Sequence, residues 1–245
     1  MGVKGQVRSL LRARGYEISR SDPGSTPLGR KLRILERQGV NVVVDGGANE
    51  GQWARALRAG GYDGRLISLE PLAAPFARLS ARASADPAWE CRRVAVGSAG
   101  GEVEMNVAGN SGESSSLLAM QPRHEGVLPA ASYVGTEKVE MVRLETVLGP
   151  LAESGAHIFL KLDLQGYELE ALGGAGELAG VTLIECELSF VDLYAGAPHY
   201  LEVAAWLESR GFVLVGLEPS FIDEQQGHVL QSDGLFARNS AGTRR

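Results

Sequence analysis

The sequence of 245 residues predicts an α/β fold in which helices cover both faces of a mostly parallel sheet. Short runs rich in β-branched residues alternate with longer amphipathic segments along most of the chain, as is typical of βαβ units. The runs are almost continuously apolar, which indicates strands buried on both faces.

The predicted elements follow this alternation in order. We predict strands at residues 40–44, 66–70, 93–96, 158–163, 181–187 and 212–217, and helices at 52–59, 73–84, 144–153, 168–172 and 200–209. Residues 102–107 and 139–143 alternate in polarity and are expected to be antiparallel additions. Between them, residues 109–135 are rich in Gly, Ser and Pro, which indicates a functional or disordered loop.

Length and charge indicate one domain, residues 38–240, preceded by a basic helical appendage, residues 1–37. The appendage carries a net charge of +6 and the rest of the chain −12, so nucleic acid is a poor candidate partner. No apolar run is long enough to span a membrane. Two distant cysteines, Cys91 and Cys186, favour a reducing cytoplasm over a disulfide framework.

Residues 42–53, VVVDGGANEGQW, join the first strand to a helix through an acid and three glycines. Glycines let a ligand approach the backbone closely, and ligands of parallel sheets bind beyond the carboxyl ends of the strands. The spacing differs from the G-x-G-x-x-G of dinucleotide sites. Asp45 would repel a pyrophosphate and attract an ammonium group. The alternative is a tight turn without a ligand.

The second strand ends in LISLEP, which places Glu70 at its tip. A carboxylate in this position can accept hydrogen bonds from both hydroxyls of a ribose. One strand after Asp45, it favours an adenosine-bearing ligand. The alternative is an exposed carboxylate at the end of a strand.

Two later strands carry charged residues. In IFLKLDLQGYELEAL, Lys161 and Asp163 point to the same side, and Asp163 at the strand tip can hold a divalent cation or orient a hydroxyl. The alternative is a mutual ion pair. In TLIECELSF, Glu185 and Glu187 share a side, and Glu187 is the better ligand candidate. Its alternative is structural pairing with Lys161.

Among the four histidines, His199 is the best candidate for a general base, because it lies in the loop and helix start that follow the Glu187 strand. His157 begins a strand at the opposite end and is expected to be structural. His124 and His228 lie in loops that can close over a substrate. A surface histidine without a role is the alternative at each position.

Together, VVVDGGANEGQWARAL, GRLISLEP, SGESSSLL, FLKLDLQGYELEALGGA and LIECELSFVDLY resemble the FkbM family of S-adenosylmethionine-dependent O-methyltransferases. The order and spacing agree over roughly residues 34–238. The resemblance implies a Rossmann-like class I methyltransferase fold, with a seven-stranded, mostly parallel sheet and helices on both faces. The last strand, near residues 235–238, is then inserted antiparallel.

The resemblance also implies roles for individual residues. The methionine moiety of the cofactor is assigned to Asp45, Gly47, Asn49 and Gly51, the ribose to Glu70, the adenine to Ala95, Val96 and Gly97, and the closing loop to Ser115 and Ser116. The motif after the fourth strand is matched by Asp163, Gln165, Gly166 and Glu168. Gln165 departs from the acid that many relatives carry, so a metal site is not carried over directly.

We therefore predict methyl transfer from S-adenosylmethionine to a hydroxyl of a small molecule, such as a sugar, a polyketide or another natural product. Asp163, with Lys161 or His199, would orient the acceptor and remove its proton, and Mg²⁺ held by Asp163 and Glu187 is the other means. An NAD-dependent oxidoreductase and an inactive cofactor-binding partner protein are the alternatives. A homodimer is one option for the oligomeric state.

Overall fold

The computed structural model describes residues 26–239. Over this range the strands are β1 (Val42–Gly46), β2 (Arg65–Leu69), β3 (Trp89–Arg92), β4 (Ala95–Gly97), β5 (Gly101–Ala108), β6 (Tyr133–Arg143), β7 (Ile158–Leu162), β8 (Val181–Ser189), β9 (Phe212–Asp223) and β10 (His228–Arg238). The α-helices are α1 (Pro27–Arg37), α2 (Gln52–Ala59), α3 (Ala73–Ala83), α4 (Pro122–Val127), α5 (Leu144–Glu153), α6 (Glu168–Gly173) and α7 (Tyr200–Ser209).

Seven strands form the main sheet in the order β3-β2-β1-β7-β8-β10-β9. The first five run parallel, while β10 is antiparallel to both β8 and β9. The predicted α/β fold and the antiparallel insertion of the last strand are therefore confirmed. Strand order reverses between β1 and β7, and this is where open α/β sheets form ligand crevices.

Apolar side chains leave the central strands in both directions, which explains why β1 reads as continuous valine. Val44 packs with Leu160 in one core cluster, and Val43 packs with Phe159 in the other. All four side chains are fully buried. Helices cover both clusters, so the sheet is shielded from water on each face.

The third strand along the chain, β3 (Trp89–Arg92), begins four residues before the strand predicted at 93–96. Because Glu90 and Arg92 are polar, β3 lacks the apolar run by which the other strands were predicted. Trp89 links it to β2, since its Nε1 donates to Ser68 Oγ (3.0 Å). The residues predicted as that strand instead contribute β4 to a second sheet of order β4-β6-β5. The antiparallel pairing of β5 with β6 agrees with the prediction.

The segment 109–135 has regular structure. It contains α4 and a 3-10 turn at Pro129–Ala131, and isolated bridges join it to the rest of the fold at Asn106–Ser116 and Met120–Tyr194. The segment therefore forms a fixed wall over the carboxyl ends of the strands.

Helix α1 is the described part of the predicted basic appendage, and residues 1–25 lie outside the described range. The hydroxyl of Thr26 caps the helix by accepting from Gly29 N (3.0 Å). Leu35 is buried in the core, and Leu28 and Leu32 pack against the same cluster, so α1 is part of the domain surface rather than a free arm. None of the helices within residues 26–239 is both long and apolar enough to cross a membrane.

Candidate functional site

The turn after β1 has a backbone that requires glycine at its key point. Gly47 has a φ of 75°, and a Cβ built on it would lie 1.9 Å from the carbonyl oxygen of Asp163. Only glycine allows the two chain segments to approach this closely. The turn after β1 and the end of β7 therefore form one rigid floor.

Glu70 ties this turn to the end of β2. Its Oε2 accepts from Asn49 N (2.9 Å) and its Oε1 from Leu72 N (2.9 Å). The side chain is buried, and burial raises its pKa to about 7 despite these two hydrogen bonds. Each carboxylate oxygen keeps a lone pair for a further donor.

A first cleft of about 560 Å³ opens above Glu70 and Gly47. Its inner part is apolar, with contributions from Leu72, Val94, Val96, Met105, Leu117 and Tyr167. Its other end reaches Asp163 and Gln165. The cleft thus has an apolar slot, a carboxylate in the middle and a polar end, a lining typical of a small-molecule site.

Residues 163–166, directly after β7, form a compact turn that presents the side chains of Asp163 and Gln165 to the cleft. Gln165 and Gly166 both have positive φ, 53° and 94°. Glu168 stabilises the turn, because its Oε1 accepts from Leu164 N (2.8 Å) and Gly166 N (3.3 Å). Ser116 Oγ donates to the Gln165 carbonyl (2.8 Å). The serine-rich loop therefore fixes the position of Gln165.

Gln165 bridges two carboxylates. Its Nε2 donates to Asp163 Oδ1 (2.8 Å) and to Glu187 Oε2 (3.2 Å), while its Oε1 accepts from the hydroxyl of Tyr194 (2.6 Å). Gln231 Nε2 donates to the same Glu187 oxygen (2.8 Å). The Tyr194 contact orients the amide so that its NH₂ group faces the acids.

This donor set does not fit the predicted Mg²⁺ site. Magnesium needs oxygen ligands around it, whereas the amide NH₂ of Gln165 already lies between Asp163 and Glu187. Within residues 26–239, no three His, Cys, Asp or Glu residues are grouped so that they could hold a metal ion.

Lys161 lies at the centre of a buried charge network. Its Nζ is 3.1 Å from Asp45 Oδ1 and 3.5 Å from Asp163 Oδ2, and it lies over the ring of Trp53 (5.6 Å). Burial opposes its charge, but the carboxylates of Asp45 and Asp163 outweigh burial and hold the pKa of Lys161 above its usual value. Lys161 is therefore charged and cannot act as a base.

A second, wider cleft of about 1030 Å³ adjoins the first. The two clefts share Gly47, Asn49, Glu113, Asp163 and Gln165. The second is also lined by Gln52, Trp53, Asn110, Ser114, His124, Lys161, Glu187, Ser220, Phe221, Gln231 and Asp233. A ligand in each cleft would meet the other at Asp163.

His124 is a site residue that the sequence placed only among several loop candidates. It is buried, packs edge-on against Tyr194 (5.1 Å between ring centroids), and its Nδ1 has no hydrogen-bond partner. Burial lowers its pKa to about 4, so the imidazole is neutral. No motif marked it, because its position depends on how residues 109–135 fold back.

The structure brings most, not all, of the predicted site residues together. Gly47, Asn49, Glu70, Ala95, Val96, Ser115, Asp163 and Glu187 line one cleft or both. Asp45, Gly51, Gly97 and Ser116 line neither, and lie beneath or beside the clefts. A Cβ on Gly51 would meet Leu79 at 2.7 Å, so this glycine serves helix packing.

His199, the predicted general base, also lines neither cleft. It is the N-cap residue of α7, and its Nε2 lies 3.3 Å from the Phe190 carbonyl. Its backbone N donates to Glu202 Oε2 (2.8 Å), a contact of the helix N-cap. Lys161 and Glu185, by contrast, have partners that the sequence did not predict, namely Asp45 and Lys31.

Comparisons with known proteins place the chain in a family context. A profile described as "Methyltransferase FkbM domain" matches residues 45–214. No curated protein matches the sequence.

Solved structures resemble the chain weakly. An uncharacterized protein from Listeria monocytogenes serotype 4b is 11% identical, with a TM-score of 0.47 over 90% of this chain and 70% of its own. Magnesium protoporphyrin IX methyltransferase from Synechocystis PCC 6803 is 10% identical, with a TM-score of 0.47 over 96% and 100%. A 1,6-didemethyltoxoflavin-N1-methyltransferase from Burkholderia thailandensis is 10% identical, with a TM-score of 0.44 over 98% and 92%. At these values the similarities carry no information about substrate.

Proposed function

Because the chain belongs to the FkbM methyltransferase domain family, we propose that it transfers a methyl group from S-adenosylmethionine to a hydroxyl of a small molecule. The observation that carries this proposal is the junction of the two clefts. Asp163 and Gln165 line both of them, so a donor in one and an acceptor in the other would meet beside a carboxylate.

The first cleft suits S-adenosylmethionine. Glu70 would accept hydrogen bonds from the ribose hydroxyls, and the apolar slot at Val94, Val96 and Leu117 would enclose the adenine. The amino-acid end would lie along Gly47, where the absent Cβ leaves the backbone accessible. When bound, the cofactor supplies an electrophilic methyl group on a positively charged sulfur.

The second cleft would hold the acceptor against Asp163. The carboxylate accepts one hydrogen bond from Gln165 and lies near Lys161, which fixes its orientation, and its side chain is 42% exposed. In our proposal, Asp163 orients the acceptor hydroxyl and takes its proton as the oxygen attacks. His124 faces the same cleft and contributes to binding the acceptor.

In this proposal deprotonation requires no Mg²⁺, because the amide of Gln165 occupies the space between the two acids. A chelator should therefore leave turnover unchanged. Loss of turnover in EDTA, with recovery on adding Mg²⁺, would contradict this part of the proposal without affecting the cofactor site.

Calorimetry with S-adenosylmethionine and S-adenosylhomocysteine tests the proposal at its base, and transfer of a labelled methyl group to a panel of hydroxylated acceptors tests the reaction. No cofactor binding at high micromolar concentration would reject it. Methyl transfer to nitrogen or carbon acceptors alone would keep the methyltransferase and reject the hydroxyl acceptor.

A further inference from the structure

Acidic side chains outnumber basic ones on the wall of the second cleft. Four acidic side chains line it, Glu113, Asp163, Glu187 and Asp233, and Lys161 is the one Lys or Arg among the described residues that do so. Asp45, which lines neither cleft, already pairs with that lysine at 3.1 Å. The positive charge that an anionic ligand would need is therefore already engaged.

Asp233 is the clearest sign of a missing partner. It lies directly opposite Glu187 in the antiparallel register of β10 and β8, so the two carboxylates share one face of the sheet. Within residues 26–239, the carboxylate of Asp233 has no hydrogen bond or ion pair. Burial and the nearby carboxylates of Glu185 and Asp163 raise its pKa to about 6.

The other lining groups suit a ligand with many hydroxyls. Amides and hydroxyls surround the cleft, from Asn49, Gln52, Asn110, Ser114, Gln165, Ser220 and Gln231. Trp53 and Phe221 also line the cleft, and aromatic side chains can pack against the C–H faces of a sugar or cyclitol ring. His124 adds a buried nitrogen, Nδ1, without a partner.

We infer that the methyl acceptor is a polyhydroxylated molecule that carries a protonated amine, such as an amino sugar or an aminocyclitol, with its ammonium group near Asp233 and Glu187. This inference rests on the proposed function, since it names the acceptor of the same site. Phosphorylated and carboxylated acceptors are disfavoured, because they would add negative charge to a cleft whose lysine is already paired.

Matched ligands can measure this preference by calorimetry on the full chain loaded with S-adenosylhomocysteine. The pairs are 2-deoxystreptamine with scyllo-inositol, and glucosamine with N-acetylglucosamine, with glucose 6-phosphate as the anionic probe. We expect the amines to bind about tenfold or more tighter than their neutral partners, as one close charge pair allows. Added salt should narrow that difference.

Substitutions test whether the acids cause the preference. Asp233→Asn should reduce the preference for the amine and leave the neutral ligand unaffected, and Glu113→Gln should do so more weakly because Glu113 is exposed. Glu153→Gln, at the exposed end of α5 and outside both clefts, is the matched control and should change nothing.

Ionisation gives a second measurement of the same contact. An ammonium beside Asp233 should release protons on binding below about pH 6, because it lowers the pKa of that carboxyl. The charged groups that face Asp233 are Glu185 and Glu187 of β8, Asp163 and Lys161 of β7, Lys31 of α1 and Glu218 of β9. Calorimetry in buffers of different ionisation enthalpy counts the protons.

The possible failures are distinguishable. If S-adenosylhomocysteine does not bind, the proposed function fails. If it binds but amines show no preference over neutral ligands, or glucose 6-phosphate binds more tightly, or Asp233→Asn keeps the full preference, the amine-bearing acceptor is wrong and the methyltransferase proposal stands.

Discussion

Asp45 and Lys161 lie directly opposite each other in the parallel register of β1 and β7, with Lys161 Nζ 3.1 Å from Asp45 Oδ1. Both side chains are buried, in the two central strands of the sheet. The pair fixes the Lys161 ammonium 3.5 Å from Asp163 Oδ2. Asp45 thereby helps to position the Lys161 ammonium beside Asp163.

Breaking this pair from one side should be strongly destabilising. Lys161→Met leaves Asp45 as a buried charge without its partner, and we expect the free energy of unfolding to fall by roughly 3–5 kcal/mol. The double variant Asp45→Asn/Lys161→Met should recover most of that loss, since neither charge remains. Chemical denaturation measures all three proteins.

Lys138→Met is the matched control, because Lys138 and Glu102 form an exposed pair at 2.9 Å. It should leave the free energy of unfolding almost unchanged, because solvent screens an exposed pair. If Lys161→Met loses no more than Lys138→Met, the central pair does not stabilise the fold.

Most strands of the sheet could be predicted, because the sequence patterns that mark a strand and its turns are local. Apolar runs and glycine turns predicted most strands, and the family resemblance implied the antiparallel last one. The Asp45–Lys161 pair was not predicted, because it depends on the register of strands that are more than 100 residues apart in the chain. The sequence suggested instead that Lys161 pairs with Asp163, which the structure also shows at 3.5 Å.

Residues of the site could be predicted only where they come directly after the carboxyl end of a strand. Glu70 and Asp163 come directly after β2 and β7, so their place at the carboxyl edge follows from topology alone. His124 and Asp233 reach the second cleft through long-range packing, for which the sequence carries no local signal. His199 was favoured by its place after β8, yet a neighbouring position in the chain does not decide into which space a loop side chain points.

Glu70→Gln should weaken cofactor binding. The substitution removes the charge that accepts from ribose hydroxyls, and it places an amide NH₂ against one of two backbone donors, Asn49 N or Leu72 N. We expect a loss of roughly 1–3 kcal/mol in calorimetry. Glu153→Gln is the control, since Glu153 is exposed and lines neither cleft, and it should leave affinity unchanged.

The ionisation of Glu70 should make both stability and cofactor affinity depend on pH. Burial raises the pKa of Glu70 to about 7 from its ordinary 4.5, with Asp45 and Glu137 as the neighbouring acids. The protonated form therefore stabilises the fold below about pH 4.5, and that contribution is lost as pH rises through about 7. The ionised form is the better ribose acceptor, so cofactor affinity should rise between about pH 6 and 8. A flat affinity profile in the wild type would contradict this assignment.

Substitutions of Asp163 and of His199 show which of the two residues acts as the base. Asp163→Asn keeps the shape of the side chain but cannot take a proton, and we expect kcat to fall by about 10²–10⁴-fold. His199→Ser replaces one helix cap by another, so kcat should stay within about twofold of the wild type. Methyl transfer from labelled cofactor measures both. Activity lost in His199→Ser, in a protein with unchanged thermal stability, would return the role of base to the histidine.

Gly47→Ala tests the floor shared by both clefts. The new Cβ would lie 1.9 Å from the Asp163 carbonyl oxygen, at a φ of 75°, so the turn after β1 must move away from β7. We expect a loss of more than about 2 kcal/mol in the free energy of unfolding, together with loss of cofactor binding.

Gly173→Ala is the matched control: a Cβ there has no neighbour within 4 Å, and stability should change by less than about 1 kcal/mol. A stable Gly47→Ala protein that binds S-adenosylmethionine normally would show that the turn can yield, and that Gly47 does not define the cofactor site.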